Sequence, residues 1–199
     1  MKHVTPAACA IALILTLAAC SPKPETDAGN NSAEANAMAT AEPVNAVANA
    51  VEPAAAANIL ALEGLGALKI GAPVPEGSGW SKEGAQASDT CLTYSSAAYP
   101  DTYAIVEDGK VRRISVMEGS PVKLIEGIGP GASEDKVNAA FPGFKSEPHT
   151  YEEAPAKYLT APNAESGDPA LRFEINSERK VSAIHVGTMP VLGYVEGCA

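Results

Sequence analysis

The chain has 199 residues, 46% of them hydrophobic but only 5% aromatic, and carries a formal charge of −10 with a pI near 4.7. That charge argues against nonspecific binding to nucleic acid or to an anionic membrane surface. All ten aromatic residues fall between Trp80 and Tyr194, so the side chains able to build a core are gathered in the C-terminal two-thirds.

Residues 1–19 read as a leader. Lys2, with His3, gives a positive start, and Ala7 to Ala19 is almost unbroken apolar sequence, too short to cross a bilayer comfortably. It ends in Leu17-Ala18-Ala19-Cys20, which resembles the lipobox of bacterial lipoproteins. Small side chains suit a peptidase cleft, and the thiol is the nucleophile that a thioether to diacylglycerol requires. The alternative is an Ala-rich leader cut by the ordinary peptidase. The resemblance implies lipidation at Cys20 and a lipid bilayer as partner. One acyl chain gives marginal anchoring at roughly 0.8 kcal/mol per buried CH₂, and two or three hold firmly. Ser21 stands where an Asp would favour the inner membrane, so the resemblance implies the periplasmic face of the outer membrane. The same signal would serve a Gram-positive surface lipoprotein.

Residues 21–58 contain thirteen Ala, six Asn, four Pro and four Glu, with no aromatic, Leu or Ile. Such a segment buries too little apolar surface to repay backbone ordering and reads as a disordered tether. Fully extended it would reach on the order of 125 Å. With Cys20 it makes up a lipidated linker, residues 20–58.

Residues 59–199 form the expected folded domain, with 12 Lys or Arg against 19 Asp or Glu. Cys9 leaves with the leader and Cys20 carries lipid, so Cys91 and Cys198 remain. An exported pair most simply forms one disulfide, here stapling the penultimate residue to the body of the domain. The competing reading is a redox or nucleophilic thiol, although neither cysteine lies in a CxxC.

Two hairpins stand out. Thr102–Glu107 and Lys110–Val116 flank Asp108-Gly109, a type I′ turn signal. Tyr103, Ile105, Ile114 and Val116 suit its buried face. Leu171–Ile175 and Lys180–Val186 flank a turn near Asn176–Arg179 and alternate more cleanly. At an offset of 70, Tyr103 meets Phe173, Ile105 meets Ile175, and Ile114 and Val116 meet Ile184 and Val186. An internal duplication follows as an expectation, with repeats at 64–118 and 127–188. Between the hairpins, Ser133 caps a short helix with Glu134 and Asp135 in its first turn and Val137, Ala140 and Phe141 on one face. The equivalent stretch, Pro75 to Ser88, is a much weaker helix. Further strands are expected at Leu92–Ser95, Lys157–Thr160 and Val191–Val195. The fold class is α+β: an antiparallel sheet with short helices on one face.

The run Gly127-Ile128-Gly129-Pro130-Gly131-Ala132-Ser133, continued through Val137 and Phe141 to Pro142-Gly143, is similar to the opening of small outer-membrane lipoprotein domains of the SmpA/OmlA type. Duplicated versions of a comparable unit occur in the beta-lactamase inhibitor protein. The resemblance implies noncovalent protein binding and no chemistry.

Motifs for catalysis are sparse. The glycine runs lack the spacing of a dinucleotide fingerprint or a P-loop, and G-x-S-x-G and H-E-x-x-H are absent. His149, in an acidic run, and His185, alternating with Ile184 and Val186, read as a polar loop and a solvated strand residue. Asn163, Glu165 and Asp168 lack an EF-hand pattern. No metal or cofactor is expected, and no catalytic residue is assigned. Trp and Tyr are favoured interface anchors, which makes Trp80, Tyr94, Tyr151 and Tyr158 the candidate contacts, with Tyr99 and Tyr194 behind them. For Trp80 a place in the core is the competing reading. Arg112-Arg113 read as a solvated face. The expected function is an envelope protein that binds another envelope protein as adaptor or inhibitor. The alternatives are a small-ligand or cell-wall binding module, and an enzyme should a histidine meet a carboxylate and a nucleophile in a cleft.

Overall fold

The computed structural model describes residues 58–84 and 88–198. The leader, the Cys20 lipobox and the tether up to residue 57 lie outside them. The chain forms β1 (Ile59–Ala61), β2 (Gly64–Leu65), β3 (Leu68–Lys69), β4 (Ser81–Lys82), β5 (Cys91–Ser95), β6 (Thr102–Glu107), β7 (Lys110–Met117) and β8 (Lys123–Leu124). The helix α1 (Glu134–Ala140) follows, then β9 (Lys145–Pro148), β10 (Lys157–Thr160), β11 (Ala170–Ile175) and β12 (Val181–Gly187). It is an α+β fold with one short α-helix among the described residues.

The large sheet has the order β4-β5-β6-β7-β12-β11-β10-β9. Four strands of each half are thus laid out as mirror-ordered units and joined antiparallel at β7 and β12. The Asp108-Gly109 turn has positive φ at both residues, 52° and 73°, the type I′ geometry the dipeptide promised. Both hairpins carry a bulge at matching places, between Ile105 and Val106 and between Glu174 and Ile175. The connection from Val106 to Val111 holds four residues and that from Ile175 to Val181 holds five. The offset of 70 therefore holds for β7 and β12 but becomes 69 for β6 and β11, and Tyr103 corresponds to Arg172 rather than to Phe173.

The bulge also corrects the expected faces of the first hairpin. It places Ile105 opposite Arg113 instead of Arg112, which turns Tyr103 and Ile105 away from Ile114 and Val116. Ala104 and Val106 join Ile114, Val116, Phe173, Ile175, Ile184 and Val186 in the main core. That core is closed by the small sheet, order β3-β2-β1-β8, and by Val137 of α1.

Ser133 caps α1 as expected, its side chain accepting from Lys136 N–H. Glu134 beside it is buried and ion-paired with Lys157 at 2.8 Å and Arg179 at 3.2 Å. Residues 75–84 form turns and β4 in place of a helix. The strand expected at Val191–Val195 is instead a single 3-10 turn, Val191–Gly193, closed by Gly193 N–H to Pro190 O. A proline before it and a glycine within it favour turning over ladder pairing. The arm that follows ends at Cys198, which is disulfide-bonded to Cys91.

Candidate functional site

Strand alternation gives the large sheet a second face opposite the core, and that face is polar. Pairing aligns Tyr103, Ser115, His185, Arg172 and Thr160 in one row across β6, β7, β12, β11 and β10. The next row carries Ala183, Glu174, Tyr158 and Glu147. Two segments cover these rows. The C-terminal arm lies over β6 and β7, with Val191 packed against Ile105 and Cys91. The β9–β10 loop brings His149 onto Tyr158, the rings stacked with centroids 4.7 Å apart.

A continuous chain of contacts runs beneath them. Ser115 Oγ lies 2.9 Å from His185 Nδ1, and His185 Nε2 lies 3.0 Å from Glu174 Oε1. Glu174 Oε2 lies 3.7 Å from His149 Nε2. The carboxylate only accepts, so His185 carries its proton on Nε2 and its Nδ1 accepts from the serine hydroxyl. His149 Nδ1 accepts the backbone N–H groups of Tyr151 and Glu152 at 3.2 and 3.1 Å, which places its proton on Nε2 as well. Glu174 is thus clamped between two imidazole N–H groups. Burial pushes its carboxyl up, but the hydrogen bond and charge of His185, with those of His149, outweigh this and hold it below the ordinary 4.5. Burial holds His185 below its usual 6.5, assisted by the Arg113 and Arg172 charges and opposed by Glu174. Above that range the imidazole is neutral.

Ser115, His185 and Glu174 have the chemistry of a nucleophile, base and orienting acid. Ser115 is 0% exposed and sits in the middle of the sheet, where a substrate has no approach. The trio is a buried polar network that satisfies its own members.

Two buried arginines flank it. Arg113, 1% exposed, donates to the carbonyls of Val191 and Tyr194 and to the Tyr103 hydroxyl, fixing the arm. Arg172 lies 4.1 Å from the Tyr158 ring centroid and donates to Thr160 and Glu147.

At the outer edge of this face the loop and the arm meet. Tyr151 donates its hydroxyl to Glu196. A groove of about 370 Å³ between them is lined by Thr150, Tyr151, Tyr194, Val195, Glu196 and Gly197. Tyr151 and Val195 are exposed, and Tyr194 donates its hydroxyl to Glu107 at 3.2 Å.

The structure separates the residues the sequence singled out. Tyr151 is exposed. Tyr158 is buried in the polar face, and Tyr94 and Tyr99 are half-buried against the main core. Trp80 is 7% exposed and stacks on Tyr99 at 5.6 Å, so its loop closes over the core. Tyr158 and Trp80 therefore present little ring surface to solvent. His185 and Arg113 overturn the expectation of solvated positions, because the arm and the loop cover the face they occupy. Arg172 and Glu174 read in the sequence only as the polar positions alternating with Leu171, Phe173 and Ile175, and Ser115 only as part of its strand. Their only signal is position, and it becomes readable once strand register is known.

No protein-family model, curated protein or solved structure matches this chain.

Proposed function

We propose that the protein is a lipid-anchored, periplasm-facing lipoprotein whose folded domain binds another envelope protein, as adaptor or inhibitor. The anchor rests on the Leu17-Ala18-Ala19-Cys20 lipobox and the outer-membrane placement on Ser21. The observation that carries the binding role is Tyr151, a large aromatic side chain 65% exposed on a loop held from several directions. His149 ties down the backbone on its far side, Glu196 takes its hydroxyl, and Cys91–Cys198 fixes the arm that carries Glu196. An aromatic held out to solvent on a rigid base loses little freedom on binding, as a contact anchor should.

The test is crosslinking in intact cells of the full-length lipoprotein against a Cys20→Ala control, with capture under denaturing conditions and mass spectrometry. A stoichiometric envelope protein present with the first and absent with the second supports the proposal. An empty result with good expression and lipidation sinks it. A groove of about 530 Å³ where β5 ends and β6 begins, lined by Tyr99, Tyr103, Asp101, Glu83, Ser95 and Met117 among others, favours a small polar ligand or cell-wall fragment as the second reading.

A further inference from the structure

The groove between the β9–β10 loop and the C-terminal arm is apolar within and acidic around. Tyr151, Tyr194 and Val195 supply its apolar wall, and none of its lining residues is basic. Glu196 lines it, and Glu153, two residues after Tyr151, is exposed, whereas Glu152 turns its carboxylate to the Ser177 N–H. Glu107 sits at the Tyr194 hydroxyl. Arg113 beneath the arm does not balance these charges at the surface, because it is buried and turned to the carbonyls of Val191 and Tyr194. The Tyr194 phenol reports the same environment: burial, then the Glu107 charge and hydrogen bond, raise it above its usual 10.0.

We propose that this groove docks a cationic segment of the partner protein, one that seats an apolar side chain against Tyr151 and Val195 with Lys or Arg on either side. The assignment rests on the protein-binding reading above and adds the chemistry of the partner. Charge complementarity selects the occupant. An acidic or phosphorylated segment would bring like charge against the Glu107, Glu153 and Glu196 carboxylates, whereas a Lys- or Arg-flanked residue meets them at the rim and leaves the apolar wall for its side chain. The groove has room for one or two side chains rather than a folded element, so the partner offers an extended segment or an exposed loop.

The experiment places a photo-crosslinking residue at Val195 in the full-length lipoprotein and identifies the crosslinked peptide from intact cells. The expected adduct carries an apolar residue with Lys or Arg within a few positions. Combining Glu153→Gln and Glu196→Gln keeps one acceptor oxygen at each position and removes two charges, and should cut the adduct at least about three-fold. The same adduct in isolated envelopes should fall comparably between about 50 mM and about 500 mM salt, a readout that needs no variant and survives poor folding of the double substitution. An adduct with a neutral or acidic segment, or one indifferent to both salt and the glutamines, overturns the cationic docking while leaving protein binding intact. The same holds if Val195 gives no adduct while a general crosslinker still captures a partner. No adduct by either route removes both readings.

Discussion

Ser115 and His185 face each other across the seam between the two four-stranded units, and the serine hydroxyl donates to His185 Nδ1 at 2.9 Å. They are equivalent positions of the two halves, 70 residues apart, so the network is centred on the line where those halves join. A neutral imidazole at that line makes folding sensitive to acid.

The sign follows from His185 lying below its ordinary 6.5. As pH falls through that range the unfolded chain takes up a proton that the folded chain refuses, so stability is complete above it and declines below. Glu174, held below 4.5, adds a further loss at lower pH. Urea midpoints should therefore drop between about pH 7.5 and about pH 5. His185→Gln should cost about 1–3 kcal/mol at the higher pH through unmade hydrogen bonds and show a flatter decline. Parallel declines would remove His185 as the source.

Arg113 holds the arm through two carbonyls. Arg113→Met should destabilise the domain by about 2–4 kcal/mol, since those acceptors stay buried without their charged donor. Hydrogen exchange should then rise at residues 191–198 first. Uniform exchange across the sheet instead would show that the arginine supports the sheet and not the arm.

Cys91 and Cys198 close a loop with a sequence separation of 107. Substituting both with Ser should cost roughly 2–5 kcal/mol, on the loop-entropy view of disulfides. Melting of the parent with and without reductant should reproduce the difference.

Gly187 pairs with Arg113 in the central ladder, and a Cβ there would lie 2.2 Å from the Arg112 carbonyl oxygen, which is backbone and cannot step aside. Gly187→Ala should cost about 1–3 kcal/mol, read from denaturant midpoints at constant slope.

Trp80 and Tyr151 offer a direct contrast. Trp80→Ala should destabilise by about 3–5 kcal/mol as a core truncation, and Tyr151→Ala by about 0.5 kcal/mol or less as a surface change. Partner capture should follow the reverse order. Equal stability losses would place Tyr151 in the framework and remove the main support for its contact role.

Six of the twelve strands, the five longest among them, were legible because alternation and turn chemistry are local signals, whereas the two- to four-residue strands β1 to β4, β8 and β9 are too short to show a period. Asp108-Gly109 marked its hairpin to the residue, and Thr102–Glu107 and Lys157–Thr160 were read with their true ends. What escaped was non-local. The bulge at Ile105/Val106 leaves no mark in the composition of the strand, yet it decides that Tyr103 and Ile105 share a face with Arg113. Likewise, His185 looks solvated until the arm that begins at Val191 and the β9–β10 loop fold over its face. The polar network could be read only after register and covering segments were known, because its members come from three strands and a loop.

Tyr151 could be chosen from the sequence as one aromatic among several, whereas its exposure could not. Tyr158, seven residues later and of the same type, lies under the loop that carries Tyr151. Val191–Val195 misled because β-branched residues suggested a strand where Pro190 and Gly193 impose a turn.

The parallel pairing of β1 with β8 has a mechanical consequence. Any tension arriving through the chain before Asn58 enters the domain at Ile59, which pairs with Lys123, while Asn58 O accepts from Lys123 N–H at 3.0 Å. A pull directed along β1 loads its bonds to β8 and β2 side by side in shear, so they resist together instead of parting one after another. Leu60, 1% exposed, would have to be dragged from the core in the same event. The large sheet lies beyond that lock, and its seam at Ser115 and His185 is shielded from force applied at the amino-terminal end.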